Sequence, residues 1–251
     1  MKLALIGTGQ MGRAVAVLAK AEEHEIVAEF NTQTPFSEAA DPGALNGADI
    51  AIDTSLPSVV LGHIRRCCEW GVPLVVATTG WYDHLADVQA WVRTSEKGAV
   101  LYAPNFSLGV AMLSHALRAV APLLDVLPDF DPYVHEVHHV RKQDSPSGTA
   151  LLLGGILQEN LSRKTHLATE AQHEPIDPAA LHVTSTRAGR VFGEHTIGID
   201  GPFEQITLTH TAKSRDGFAY GALRAAAWLP GHVGLFTLDD MLDSVLHIEN
   251  A

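Results

Sequence analysis

Cysteine is nearly missing from this 251-residue chain: Cys67 and Cys68, side by side, are all it has. Adjacent thiols make neither a disulfide framework nor a zinc knuckle, and such usage suits a reducing cytoplasm. Basic residues are also scarce, 17 Lys and Arg against 29 Asp and Glu, for a formal net charge of −12. A nucleic-acid surface needs a basic stripe, so that class of partner is not expected, although a local basic pocket for an acidic metabolite is still allowed. Long apolar runs are missing too. The opening Leu3-Ala4-Leu5-Ile6 stops at Gly7, too short for a signal-peptide core. The apolar stretch from Phe106 to Leu127 carries His115, Arg118 and Asp125, which argues against a membrane span. There is no repeat and no low-complexity segment. What is there, 46% hydrophobic and 18% charged residues, describes a globular chain with room for one large domain or two modest ones.

The densest chemistry lies in Glu136–Thr149, E-V-H-H-V-R-K-Q-D-S-P-S-G-T. His138 and His139 are candidate proton donors or acceptors near neutral pH, and Lys142 is a fixed charge or second acid. Asp144 to Gly148 is turn chemistry, and Thr149 opens an apolar run that reads as a helix start, whose N–H groups favour an anion. Imidazole, ammonium and an anion cradle together suit an acidic substrate that gains or loses a proton. Other readings exist. Neighbouring histidines on a strand face opposite ways, so one of the pair can be a supporting polar residue. His135, His138 and His139 could also be metal ligands, but there is no HExxH helix, and Tyr133–Val137 suits a strand. No metal is expected.

At the N-terminus, the apolar run Lys2–Ile6 leads into Gly7-Thr8-Gly9-Gln10-Met11-Gly12 and then an alanine-rich helix, Arg13–Ala21. Strand, G-x-G-x-x-G, helix is the order a dinucleotide fold requires. Gly7 makes the tight turn, Gly9 admits the pyrophosphate, and Gly12 allows close packing of helix on strand. The second strand, Glu25–Phe30, normally ends at an acidic residue that binds the adenosine ribose. Here Asn31 takes that place, with no arginine after it, so NADH and NADPH both remain open.

Further βα units follow, with strands at Ala48–Ile52, Pro73–Ala77 and Ala99–Ala103 and helices at Val59–Trp70 and Trp81–Thr94. After a helix over Val110–Leu124, β-like segments at His182–Arg187, Val191–Ile199 and Gln205–Ala212 suggest a mixed or antiparallel sheet. Phe218–Leu229 returns to a helical pattern, and Gly234–Asp240 leads into a terminal helix. The expected fold class is α/β, an N-terminal Rossmann-type dinucleotide-binding domain with an α+β substrate and oligomerisation domain. The expected boundaries are 1–109 with 218–251, and 110–217.

These residues resemble the 4-hydroxy-tetrahydrodipicolinate (dihydrodipicolinate) reductase family of lysine and diaminopimelate biosynthesis over nearly the whole length. The likeness rests on G-T-G-Q-M-G-R at 7–13, T-T-G at 78–80, P-N-F-S-L-G-V at 104–110, H-H-V-R-K-Q-D-S-P-S-G-T-A at 138–150 and S-R-D-G-F-A-Y-G-A-L-R-A-A-A-W-L at 214–229. The 138–150 motif is specific, whereas many dehydrogenases share the glycine loop. The resemblance implies an NADH- or NADPH-dependent reduction of a small dicarboxylate, with His138 as proton donor or acceptor and Lys142 as its partner acid. It places His139, Gly148 and Thr149 at the substrate. It lines the cofactor with residues 7–12, with Ala77, Thr78 and Thr79, and with Ala103, Pro104, Asn105 and Phe106. A cytoplasmic homotetramer built through the substrate-domain sheets is also implied. Three features depart from the common family form: a glycine loop one residue shorter with Gln10 where arginine is usual, Asn31 for an acidic residue, and Val140-Arg141 before Lys142. Two other readings share the architecture, an amino-acid dehydrogenase acting on aspartate or a diamino acid, and a non-catalytic NAD(P)H-binding regulator.

Overall fold

The computed structural model describes residues 1–248. The chain forms two compact units, Met1–Ser107 with Asp216–Ala251, and Leu108–Arg215. The last three residues, which the expected domain range includes, lie outside the described residues.

In the first unit, six strands make one parallel sheet: β1 (Lys2–Ile6), β2 (Glu25–Phe30), β3 (Ile50–Asp53), β4 (Leu74–Val76), β5 (Ala99–Tyr102) and a late strand (Gly234–Thr237). The order is late strand, β5, β4, β3, β1, β2. Leu3 to Ile6, Ile50 to Ile52 and Leu74 to Val76 are all buried, as expected of parallel strands covered on both faces. Between them run α1 (Gln10–Ala21), α2 (Pro57–Trp70) and α3 (Leu85–Thr94). Helix α2 starts with Pro57 at its first turn and stops at Gly71, whose φ of 65° is the left-handed C-terminal stop that glycine permits. Cys67 and Cys68 are free, buried thiols on this helix.

The second unit opens with α4 (Leu108–Val126), which is long and apolar enough to cross a membrane by length and composition alone. Leu113, Leu117, Ala121 and Leu124, at helical spacing, pack instead into a core with Val134, Leu153, Leu157, Val183 and Ile197. The unit's sheet is mixed, from β6 (Asp131–His138), β7 (His166–Ala168), β8 (Ala180–Arg187), β9 (Glu194–Asp200) and β10 (Gln205–Thr211), in the order β10-β9-β6-β8-β7. Between β6 and β7 lies α5 (Gly148–Asn160).

After β10 the chain rejoins the first unit through α6 (Asp216–Trp228), the late strand, here β11, and α7 (Leu238–Ile248). The sequence pattern presents 234–240 only as a lead into the last helix. The structure makes Gly234–Thr237 an edge strand paired with Ala99–Tyr102. Four residues carry no readable period, and the strand exists because β5 offers an unpaired edge. The three-residue β7, likewise unannounced, is held by β8.

Candidate active site

Strand β6 alternates in the normal way, with Pro132, Val134, Glu136 and His138 buried and Tyr133 and His135 on the other face. A strand with one face on the core should fill that face with apolar residues. Here the last two inward positions are a carboxylate and an imidazole. Glu136 has no exposed surface and His138 is 8% exposed.

Glu136 is fully satisfied. One oxygen, Oε2, takes the hydrogen bond from His138 Nδ1. The other, Oε1, accepts from the Ser147 N–H (3.1 Å) and from Arg187 Nη2 (2.8 Å). Burial pushes its pKa up, but the hydrogen bonds from Arg187, His138 and Ser147 win and hold the carboxyl below its usual range. The pairing of His138 with Arg187 in the β6–β8 register puts the guanidinium there. With Nδ1 committed, Nε2 is the nitrogen His138 has left for proton transfer. Gly193 lies against it: a Cβ there would sit 2.9 Å from Nε2, and its φ of 148° disfavours other residues.

The strand ends at His138, so His139 lies just beyond it, anchored by its N–H to Val191 O (2.8 Å). It is half-buried, and its Nδ1 has no hydrogen-bond partner among the described residues. Partial burial and then the positive charges of Arg215 and Arg141 lower its pKa, so the ring is neutral at pH 7 and can either donate or accept. Lys142 Nζ pairs with Asp144 (2.8 Å). Exposed pairs of this kind are worth only about 0–1 kcal/mol, so an incoming carboxylate can displace Asp144. Ser147 caps α5, its Oγ accepting from the Ala150 N–H (3.2 Å). Gly148 and Thr149 are the first residues of that helix, and a Cβ on Gly148 would meet nothing within 4 Å, so the cradle is open there. His135 turns away and bonds Thr184 Oγ1 through Nδ1 (2.8 Å). Among the described residues no group of three His, Cys, Asp or Glu is arranged to hold a metal ion.

In the first unit, the expected cofactor residues gather at the C-terminal ends of β1, β2, β4 and β5, where open parallel sheets bind ligands. Gly7 has φ of 102°. Gly12 admits no side chain, since a Cβ there would lie 2.0 Å from Gly7 O. Helix α1 has no side-chain cap, and a Cβ on Gly9 would meet nothing within 4 Å. An uncapped helix start with open space before it fits a pyrophosphate. Asn31 Oδ1 accepts from the N–H groups of Gln33 (2.8 Å) and Thr34 (3.2 Å). Its oxygen is spent on its own turn, and its side chain is left with an N–H donor for a ribose. In the T-T-G turn Thr79 is exposed, whereas Thr78 is buried and its hydroxyl bonds Asp53 Oδ1 (2.6 Å). Ala103 and Phe106 are buried, Pro104 is exposed, and Asn105 Oδ1 accepts from the Ser107 N–H (2.8 Å).

Models of the N-terminal and C-terminal parts of dihydrodipicolinate reductase match residues 1–106 and 109–242. The chain belongs to the dihydrodipicolinate reductase family. A 4-hydroxy-tetrahydrodipicolinate reductase of Christiangramia forsetii is 35% identical over 98% of this chain and 99% of its own length. One from Neisseria gonorrhoeae is 34% identical over 96% of this chain and 97% of its own. Among solved structures, a dipicolinate-bound dihydrodipicolinate reductase from Paenisporosarcina sp. TG-14 shares the fold. Its TM-score is 0.77, with 20% identity over 94% of this chain and 97% of that one. Family membership makes this reductase a pyridine-nucleotide oxidoreductase with a small substrate.

Three residues of the candidate site are given no role by the motif reading: Glu136, Arg187 and His195. Glu136 was within reach, since a residue two before His138 on a strand shares its face. His195 needed the register, in which it pairs with Glu136 across β6 and β9. Its ring lies edge-on to His138 with centroids 5.2 Å apart, and its Nε2 is 3.2 Å from Ser147 Oγ. That Oγ accepts from Ala150 and has a proton and a second lone pair left, so it meets either tautomer of a neutral His195. Burial first, and then the charge of His138, lower the His195 pKa to about 4.

Protonation of His195 links stability to pH. The unfolded state binds a proton at about pH 6.5 and the native state at about 4, so stability falls as pH drops through that window. Urea unfolding is expected to show this residue costing about 2 kcal/mol between about pH 7 and pH 5. The variant His195→Gln should lack that increment, and an identical pH slope in both proteins would refute the assignment.

Proposed function

We propose that this chain catalyses the NADH- or NADPH-dependent reduction of 4-hydroxy-tetrahydrodipicolinate in lysine and diaminopimelate biosynthesis, with His138 as the proton donor. The observation that carries the reading is the buried Glu136–His138 pair beside the Ser147-Gly148-Thr149 helix start. Reducing a conjugated cyclic imine places a hydride on carbon and leaves an enamine that must take a proton. A nicotinamide at the loops of the first unit supplies the hydride. Glu136 holds His138 by Nδ1, so its cationic form presents Nε2–H to the ring carbon. Lys142 exchanges Asp144 for one substrate carboxylate, and the N–H groups of Gly148 and Thr149 take a carboxylate at the start of α5. His139, neutral and with Nδ1 unpartnered, hydrogen-bonds the substrate. Residues 7–12 hold the pyrophosphate, Asn31 donates to the adenosine ribose, and Ala77, Thr79 and Ala103 to Phe106 border the nicotinamide side.

The reading extends to a cytoplasmic homotetramer that binds neither nucleic acid nor membrane. Supporting assembly through the second unit's sheet, edge strand β10 leaves Ile206 42% exposed, and Phe203 in the adjoining turn is 99% exposed. Its acidic net charge and buried free thiols agree with the rest. An amino-acid dehydrogenase or a non-catalytic regulator would have no use for this acid beside an anion cradle, and family membership favours neither.

The test generates the substrate in place from pyruvate and aspartate semialdehyde with a condensing synthase, and follows NADH or NADPH by absorbance. Oxidation dependent on this protein is the expected result. No oxidation with either nucleotide, from protein that binds one of them, would overturn the reading.

A further inference from the structure

The first unit contains a polar cluster that no cofactor contact explains. Asp53, the last residue of β3, has no exposed surface. Its Oδ1 accepts from the Ser55 N–H (2.9 Å), Ser55 Oγ (2.7 Å) and Thr78 Oγ1 (2.6 Å). Its Oδ2 lies 2.7 Å from His63 Nδ1, on α2. No Lys or Arg is among these partners. Burying a carboxylate at a sheet end is costly where an apolar residue would pack, so the cluster calls for a reason.

Its connections supply one. Asp53 lies beside Ile6 of β1 and Val76 of β4, the residues from which the glycine loop and the T-T-G turn depart. Its own carbonyl accepts from the Ala77 N–H (2.8 Å). The next residue, Thr54, donates its hydroxyl to Gly7 O (2.8 Å). On the far side, the indole N–H of buried Trp81 donates to Thr78 O (2.8 Å). The carboxylate therefore joins the loops after β3 and β4 and anchors them to α2 through His63, while Thr54, the next residue, ties the glycine loop to the same place.

We infer that Asp53 and His63 are positioning residues for the nicotinamide cofactor, holding the T-T-G turn and the glycine loop in their binding arrangement before the cofactor arrives. Thr78 is the turn's anchor and Thr79 the residue it presents. Loops fixed beforehand lose less freedom on binding, so the cluster acts on nucleotide affinity and leaves proton transfer alone. This inference rests on the assignment of those loops to the cofactor.

Two variant pairs test it in the full-length protein. His63→Leu removes the donor to Asp53, and His63→Gln restores an N–H to it. Thr78→Val removes the hydroxyl at nearly constant volume, and Thr78→Ser restores it. The readouts are the dissociation constants for NADH and NADPH by fluorescence titration, and kcat at saturating nucleotide. Expected is a loss of affinity of about tenfold in His63→Leu and Thr78→Val, equivalent to about 1.4 kcal/mol, with affinity recovered in His63→Gln and Thr78→Ser and kcat little changed in His63→Leu. Unchanged nucleotide affinity in folded Thr78→Val would overturn the inference even if His63→Leu failed to fold. Wild-type protein that binds neither nucleotide would instead overturn the cofactor assignment, and this inference with it.

Discussion

His138→Ala is expected to lower kcat by about 10² to 10⁴-fold, the range that a positioned general acid contributes. The dissociation constants for NADH and NADPH should not change, because His138 is assigned to the substrate ring and not to the nucleotide. Substrate KM should move little, since the imidazole acts on a carbon that becomes basic only after hydride arrives. Lys142→Ala should behave differently. The ammonium meets a carboxylate in both ground and transition states, so its removal raises KM as well as lowering kcat. Steady-state kinetics on both variants, with nucleotide titrations as a control for folding, separate the two roles. Unchanged turnover in both would remove His138 and Lys142 from the chemistry.

How far the sequence discloses this site depends on the range over which each feature is determined. The glycine loop reads directly, because strand, turn and helix lie within twenty residues and each glycine answers a local demand, such as the 2.0 Å approach at Gly12. The His-His-Lys and Ser-Gly-Thr group reads directly for the same reason. The facing of β6 follows from period two, so the spacing alone is enough to put Glu136 on the side of His138. Arg187 and His195 are beyond that reach. They arrive through pairings of β6 with β8 and β9, across 51 and 59 residues of chain (187 − 136 and 195 − 136), and single-sequence periodicity carries no register. Thr78 is the converse case. Its motif marks it as cofactor-lining, but the meeting of β3 with β4 turns its hydroxyl inward to Asp53.

The most discriminating variant is Glu136→Gln, because its effect follows from hydrogen-bond direction. Wild-type Glu136 accepts at both oxygens, from Ser147 and Arg187 on one and from His138 on the other. Glutamine has a single acceptor oxygen and an N–H₂ group that only donates. The Ser147 N–H and the Arg187 guanidinium are both obligate donors, so the amide oxygen must face them. The N–H₂ then faces His138 Nδ1, which has to become an acceptor. An imidazole that accepts at Nδ1 carries its proton on Nε2 and cannot also be cationic, so the acid is lost although the ring stays in place. A misassigned tautomer of this kind costs about 10⁴-fold in a serine-protease triad, and a fall in kcat of about 10² to 10⁴-fold is expected here. Nucleotide affinity should be preserved. A merely loosened fold would instead lower kcat and nucleotide affinity together. A variant that keeps the wild-type kcat would mean that Glu136 holds the Ser147 turn and Arg187 but does not govern the proton on His138.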